Sequence, residues 1–94
     1  MSGVGAKRAT PEELSHLYQA MAQLSDPVDI AHLLEDLCTI REIDEMAQRL
    51  QVARLLSEHL SYAAITEKTG VSATTIARVA KALNYGAGGY RQVL

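Results

Sequence analysis

The sequence predicts an all-α chain, and three observations predict it. The hydrophobic residues, 48% of the 94, are almost wholly Ala, Leu, Ile, Val and Met, with four Tyr and neither Trp nor Phe. Such a composition favours helices. Both prolines follow a residue suited to cap a helix, Thr10 before Pro11 and Asp26 before Pro27. Apolar residues recur at helical spacing, and the interior lacks the regular turn punctuation of an all-β protein.

Five helices follow in order. The first opens on a capping box, Thr10 with Glu13, and carries Leu14, Leu17, Tyr18 and Met21 on one stripe. The second runs from Asp26 to about Cys38, with Ile30, Leu33, Leu34, Leu37 and Cys38 as its stripe. A second capping box, Thr39 with Glu42, opens a long third helix reaching about Glu58. Ile40, Ile43, Met46, Ala47 and Leu50 form one stripe of it, while Val52, Leu55 and Leu56 add apolar surface at other angles. That suggests a helix clasped by a second subunit. The fourth helix starts at Ser61 and ends before Gly70, and the fifth runs from Ser72 to near Asn84. Residues 85–90 are glycine-rich and stop it, and residues 91–94 are too few to assign. Tyr85 and Tyr90 are expected to pack this tail onto the body.

Residues 1–9 are expected to form a flexible segment before a single domain over residues 10–94. A chain this short builds a thin core, so a partner subunit is a natural completion. The single Cys38 excludes an internal disulfide framework and fits a reducing compartment. With no apolar run of membrane-spanning length and no signal-like start, a cytoplasmic location and no membrane partner are expected. Net charge is -2, unevenly spread. Residues 1–44 hold three bases against eight acids, whereas residues 45–94 hold six bases against three acids. A polyanion would be met by the second half.

The informative stretch is SYAAITEKTGVSATTIARVAKAL, residues 61–83. Two short helices that cross steeply need a residue tolerant of positive φ, an apolar plug and a cap for the second helix. Gly70, Val71 and Ser72 stand in that order, and a helix-turn-helix over residues 61–84 is predicted. Thr66, four residues before Gly70, stands where many such motifs carry Ala. In the second helix Ile76, Val79, Ala80 and Leu83 form the packed face, which turns Thr74, Ala77, Arg78 and Lys81 to the opposite side, with Ala73 at the exposed N-terminal end. Those residues are expected to meet the major groove of double-stranded DNA. Small side chains at Ala73, Thr74, Thr75 and Ala77 let the backbone approach base edges. Ser61, Tyr62, Lys68, Lys81 and the helix N-terminus at Ser72 are expected to hold phosphates. The competing interpretation of the same pattern is a helical hairpin in a core, or a helix-turn-helix that binds protein.

With these residues the chain resembles the Trp-repressor superfamily, closest to its YerC/YecD branch. The likeness covers residues 20–94 and is most specific in AQRLQVARLL (47–56), LSY (60–62), GVS (70–72), TIAR (75–78) and LNYGAGGYRQVL (83–94). The resemblance implies an intertwined homodimer whose two reading heads lie one DNA turn apart on a palindromic operator. It also implies a small-molecule corepressor, an amino acid in the founding repressors, wedged between the core and the recognition helix. Arg78 matches one effector-binding arginine of that family. The other corresponds to Arg49 with a one-residue gap, and to Gln48 without one. Val79 replaces the glycine that leaves room for an indole, which points away from tryptophan. A different small molecule, a smaller or more polar amino acid, or no ligand stays open.

Arg78 is either a carboxylate or phosphate clamp or a surface ion pair, and Arg49 has the same two options. His16, His32 and His59 with Cys38 follow no zinc spacing, so no metal and no further cofactor are expected. Adjacent acids such as Glu12 with Glu13 and Glu35 with Asp36 read as solvated faces. Nothing pairs a nucleophile with a base, and the glycines at 86–89 follow a helix rather than precede one, so the chain is not expected to be an enzyme. The expected function is a sequence-specific DNA-binding transcriptional regulator, a dimeric repressor of an amino-acid or other small-metabolite operon. The alternative is a helical protein-interaction module that uses the same fold without DNA.

Overall fold

The computed structural model describes residues 7–94, so most of the segment expected to be flexible lies outside the described residues; residues 7–9 are exposed and belong to no helix. The described residues form six helices and no strand: α1 (Pro11–Ala22), α2 (Pro27–Leu37), α3 (Ile40–Ser57), α4 (Tyr62–Thr69), α5 (Ala73–Tyr85) and α6 (Gly89–Val93). Residues 10–94, read from sequence as one domain, divide into two compact units, Met1–Leu37 and Cys38–Leu94.

The first unit holds α1 and α2. At its start the Thr10 hydroxyl accepts the Glu13 N–H at 3.1 Å while the Glu13 carboxylate accepts the Thr10 N–H at 2.8 Å. Each of two otherwise orphaned donors is thereby satisfied. Asp26 does the same for α2, its Oδ1 accepting the Val28 N–H at 2.8 Å. Neither helix contains a buried residue. Leu14 and Leu17 are half-buried, and Tyr18 and Met21 on the same stripe are exposed.

The second unit contains all of the buried core: Val52, Ala53 and Leu55 of α3, Ile65 of α4, and Ile76 and Val79 of α5. Leu56, Leu60, Val71 and Tyr90 pack around it. The apolar surface on the latter half of α3, assigned from sequence to a second subunit, is therefore covered by this chain's own α4 and α5. The first half of the helix is the open part, with Ile40 79% exposed and Met46 37% exposed.

Helix α3 ends without a glycine. The His59 N–H donates to the Leu56 carbonyl at 2.9 Å and the Leu60 N–H to the Leu55 carbonyl at 3.2 Å, which is a Schellman motif. His59 occupies its left-handed position with φ 67°. Leu60 then enters the core cluster beside Leu56, so the chain turns sharply and delivers Ser61 to the start of α4.

Candidate nucleic-acid interface and adjoining cleft

The helix-turn-helix is built from local bonds. Ser61 caps α4, its Oγ accepting the Ala64 N–H at 3.1 Å, and Ser72 caps α5, its Oγ accepting the Thr75 N–H at 3.3 Å. Gly70 ends α4 at φ 75° and donates its N–H to the Thr66 carbonyl at 2.8 Å. A Cβ built on Gly70 would meet nothing within 4 Å, so backbone conformation alone is what calls for glycine there. Thr66 is exposed and its hydroxyl is open to water, so its departure from the common Ala leaves no buried polar atom.

A second tie escaped the sequence reading. The Thr69 hydroxyl donates to the Ile65 carbonyl at 2.7 Å and accepts the Val71 N–H at 3.1 Å. One side chain thus closes the end of α4 and holds the turn that places Val71 against the core. A threonine at a helix C-terminus is an ordinary residue in a sequence, and no spacing marks it.

On α5 the two faces separate as their period requires. Ile76 and Val79 are buried, and Ala80 and Leu83 half-buried, while Ala73, Thr74, Ala77, Arg78 and Lys81 are exposed. Ser61, Tyr62, Lys68 and Ser72 are exposed as well. Thr75 stands apart from the rest. It is half-buried, and its Oγ1 accepts from the Ser72 hydroxyl at 3.2 Å.

Behind this surface lies a cleft of about 620 Å³ between α3, the turn and α5. Arg49 and Arg78 both line it, together with Glu45 and Gln48 on the α3 side and Val79 and Tyr90. The fold therefore brings together the two arginines, and Gln48 with them, that were candidates for an effector. A second cleft of about 480 Å³ is lined mainly by apolar groups, among them Met46, Leu50 and Val93. Arg49, Ala82 and Tyr90 belong to both walls.

The tail behaves differently from its description as a simple stop. Tyr90 is half-buried against the core, as expected, but Tyr85 is 85% exposed and does not pack. The reason is position. Tyr85 ends α5 pointing away from the core face, whereas α6 returns Tyr90 to it. Among the described residues no three His, Cys, Asp or Glu side chains gather as a metal site, and no helix is long and apolar enough to cross a membrane.

Comparison with known proteins places this geometry in a class. The family model described as Trp repressor protein matches residues 12–94. The chain belongs to the Trp repressor family. It is 43% identical over 83 residues to the uncharacterized protein YerC of Bacillus subtilis, a match spanning 88% of this chain and 80% of that one. Among solved structures, a TrpR-like protein from Eubacterium eligens is 44% identical, with a TM-score of 0.84 over 89% of this chain and 87% of that one. A Staphylococcus aureus chain provisionally described as a Trp repressor is 32% identical, with a TM-score of 0.82 over 100% and 91%.

Proposed function

We propose that the chain is a sequence-specific DNA-binding regulator of transcription, a repressor that acts as a homodimer on a palindromic operator in the cytoplasm. The observation that carries this reading is the division of α5, with Ile76 and Val79 buried and Ala73, Thr74, Ala77, Arg78 and Lys81 facing out. A helix packed on one side and lined with small and basic side chains on the other suits the major groove, where methyls and hydroxyls approach base edges. Ser61, Tyr62, Lys68 and the amides after Ser72 lie at the exposed ends of the two helices, within the part of the chain where positive charge prevails, and suit phosphates. Membership of the Trp repressor family supports the same assignment.

The effector belongs to this proposal. Arg49 and Arg78 in one cleft form a site for a small anionic or zwitterionic metabolite such as an amino acid, because a planar guanidinium suits a carboxylate. Val79, fully packed in its floor, narrows the space against an indole. A ligand there touches α3 and α5 together and so changes how the reading helix is held.

The test is selection of bound fragments from genomic DNA with and without a pool of amino acids, followed by gel-shift titration of the recovered site. The expected result is a palindrome whose half-sites lie one DNA turn apart, with affinity falling steeply as salt rises. Replacing Thr74 and Ala77 by glutamate abolishes binding and leaves the thermal melt unchanged, since both side chains are exposed. A wild-type protein that prefers no fragment at low salt, or a double variant that binds as before, overturns the proposal in favour of a protein-binding role.

A further inference from the structure

The C-terminal tail is anchored at four points. A Cβ on Gly86 would collide with the Ala82 carbonyl, so only glycine lets the chain leave α5 this close to its last turn. The chain turns back at Gly88, with φ 90°. The Arg91 Nε–H donates to the Leu83 carbonyl at 3.1 Å, satisfying one of the carbonyls left open at the end of α5. Tyr90, held between these, packs against the buried core cluster.

The position of that ring is what matters. Tyr90 lines the cleft that carries Arg49 and Arg78 and also lines the apolar cleft formed with Met46, Leu50 and Val93. We infer that Tyr90 is the size-selecting residue of the arginine cleft: its ring divides that cleft from the apolar one beside it and limits the arginine cleft to compact anions. This inference rests on the proposed role of the arginine cleft as an anion site. Without the ring, a ligand anchored on the guanidiniums could extend an apolar arm along Met46 and Leu50, and the tail's anchors would no longer set ligand size.

The experiment titrates the full chain with 1-anilinonaphthalene-8-sulfonate, whose sulfonate suits the arginines and whose rings suit the apolar cleft. Wild type and Tyr90→Phe are expected to bind weakly and alike, because the phenyl ring keeps the divider. Tyr90→Ala is expected to bind at least tenfold more tightly while keeping wild-type far-UV circular dichroism and a cooperative melt. Tyr90→Leu, which preserves apolar packing on the core but lacks the ring's reach, serves if the alanine variant does not fold, and should show the same gain. Adding Arg49→Gln and Arg78→Gln should remove the gain. Folded Tyr90→Ala or Tyr90→Leu that binds no better than wild type overturns the inference, as does Tyr90→Phe that binds as tightly as Tyr90→Ala. A gain that survives loss of both arginines supports the ring as divider and overturns the anion reading of the cleft.

Discussion

Two residues in this chain adopt left-handed backbone at helix ends, and they differ in what they cost. Gly70 has φ 75° with no steric neighbour, and His59 has φ 67° with a side chain. For an L-residue that region costs roughly 1–2 kcal/mol. Gly70→Ala is therefore expected to lower stability by about that amount, and His59→Gly to raise it by about 1 kcal/mol once the greater freedom of unfolded glycine is set against the relief. Opposite shifts of the thermal midpoint would check both. A second residue-scale effect concerns pH. Hydrogen bonds from the Thr39 backbone and then its side chain hold the Glu42 carboxyl below its ordinary value of 4.5. A carboxylate favoured in the folded state adds stability above its unfolded pKa, and that stability is lost as pH falls through the lower folded value. Acid titration of the melting midpoint should show a component below pH 4.5 that Glu42→Gln removes.

At the scale of elements, α3 is the spine of its unit and α4 and α5 are the pieces laid on it. Ile65 and Ile76 are fully buried, one from each reading-head helix, and both pack into the cluster around Val52 of α3. Truncating a buried isoleucine to alanine removes transfer free energy and leaves a cavity, at about 2–5 kcal/mol. With only six residues in the core there is little to compensate. Ile76→Ala is thus expected to lose a large part of the stability of the chain, measured by urea denaturation, whereas Thr74→Ala on the outer face of the same helix should change it by less than about 0.5 kcal/mol. Equal losses at the two positions would mean that α5 is not packed on one side.

At the scale of the whole molecule, the notable fact is how much apolar surface a single chain leaves open. Tyr18, Val28, Leu37 and Ile40 are all more than half exposed, and α1 and α2 bury no residue of their own. At about 25 cal/mol per Å², surface of this kind favours association. The proposed homodimer is its natural cover, and sedimentation equilibrium should return twice the 10.2 kDa of one chain. Ile40→Glu, on the open first turn of α3, should shift the equilibrium toward single chains. A wild-type protein that sediments as one chain at micromolar concentration would contradict the proposed dimer.

The amino-acid sequence alone determined where the helices begin and which face of α5 is packed. Thr10, Thr39, Ser61 and Ser72 act on amides two or three residues away, and the spacing of Ile76, Val79, Ala80 and Leu83 repeats with the helix itself, so both signals are complete within a short window. The fold then decided what no window contains: that α4 and α5 cover the latter half of α3, that Arg49 and Arg78 share one cleft, that Thr69 ties the turn, and that Tyr90 returns to the core while Tyr85 does not. Even the end of α3 belongs to this second group, because His59 is held in a glycine-like conformation by the packing of Leu60. Caps and periodicity are short-range properties of a backbone, whereas a cleft or a returning tail is a meeting of residues far apart in the chain, and only packing chooses which of them meet.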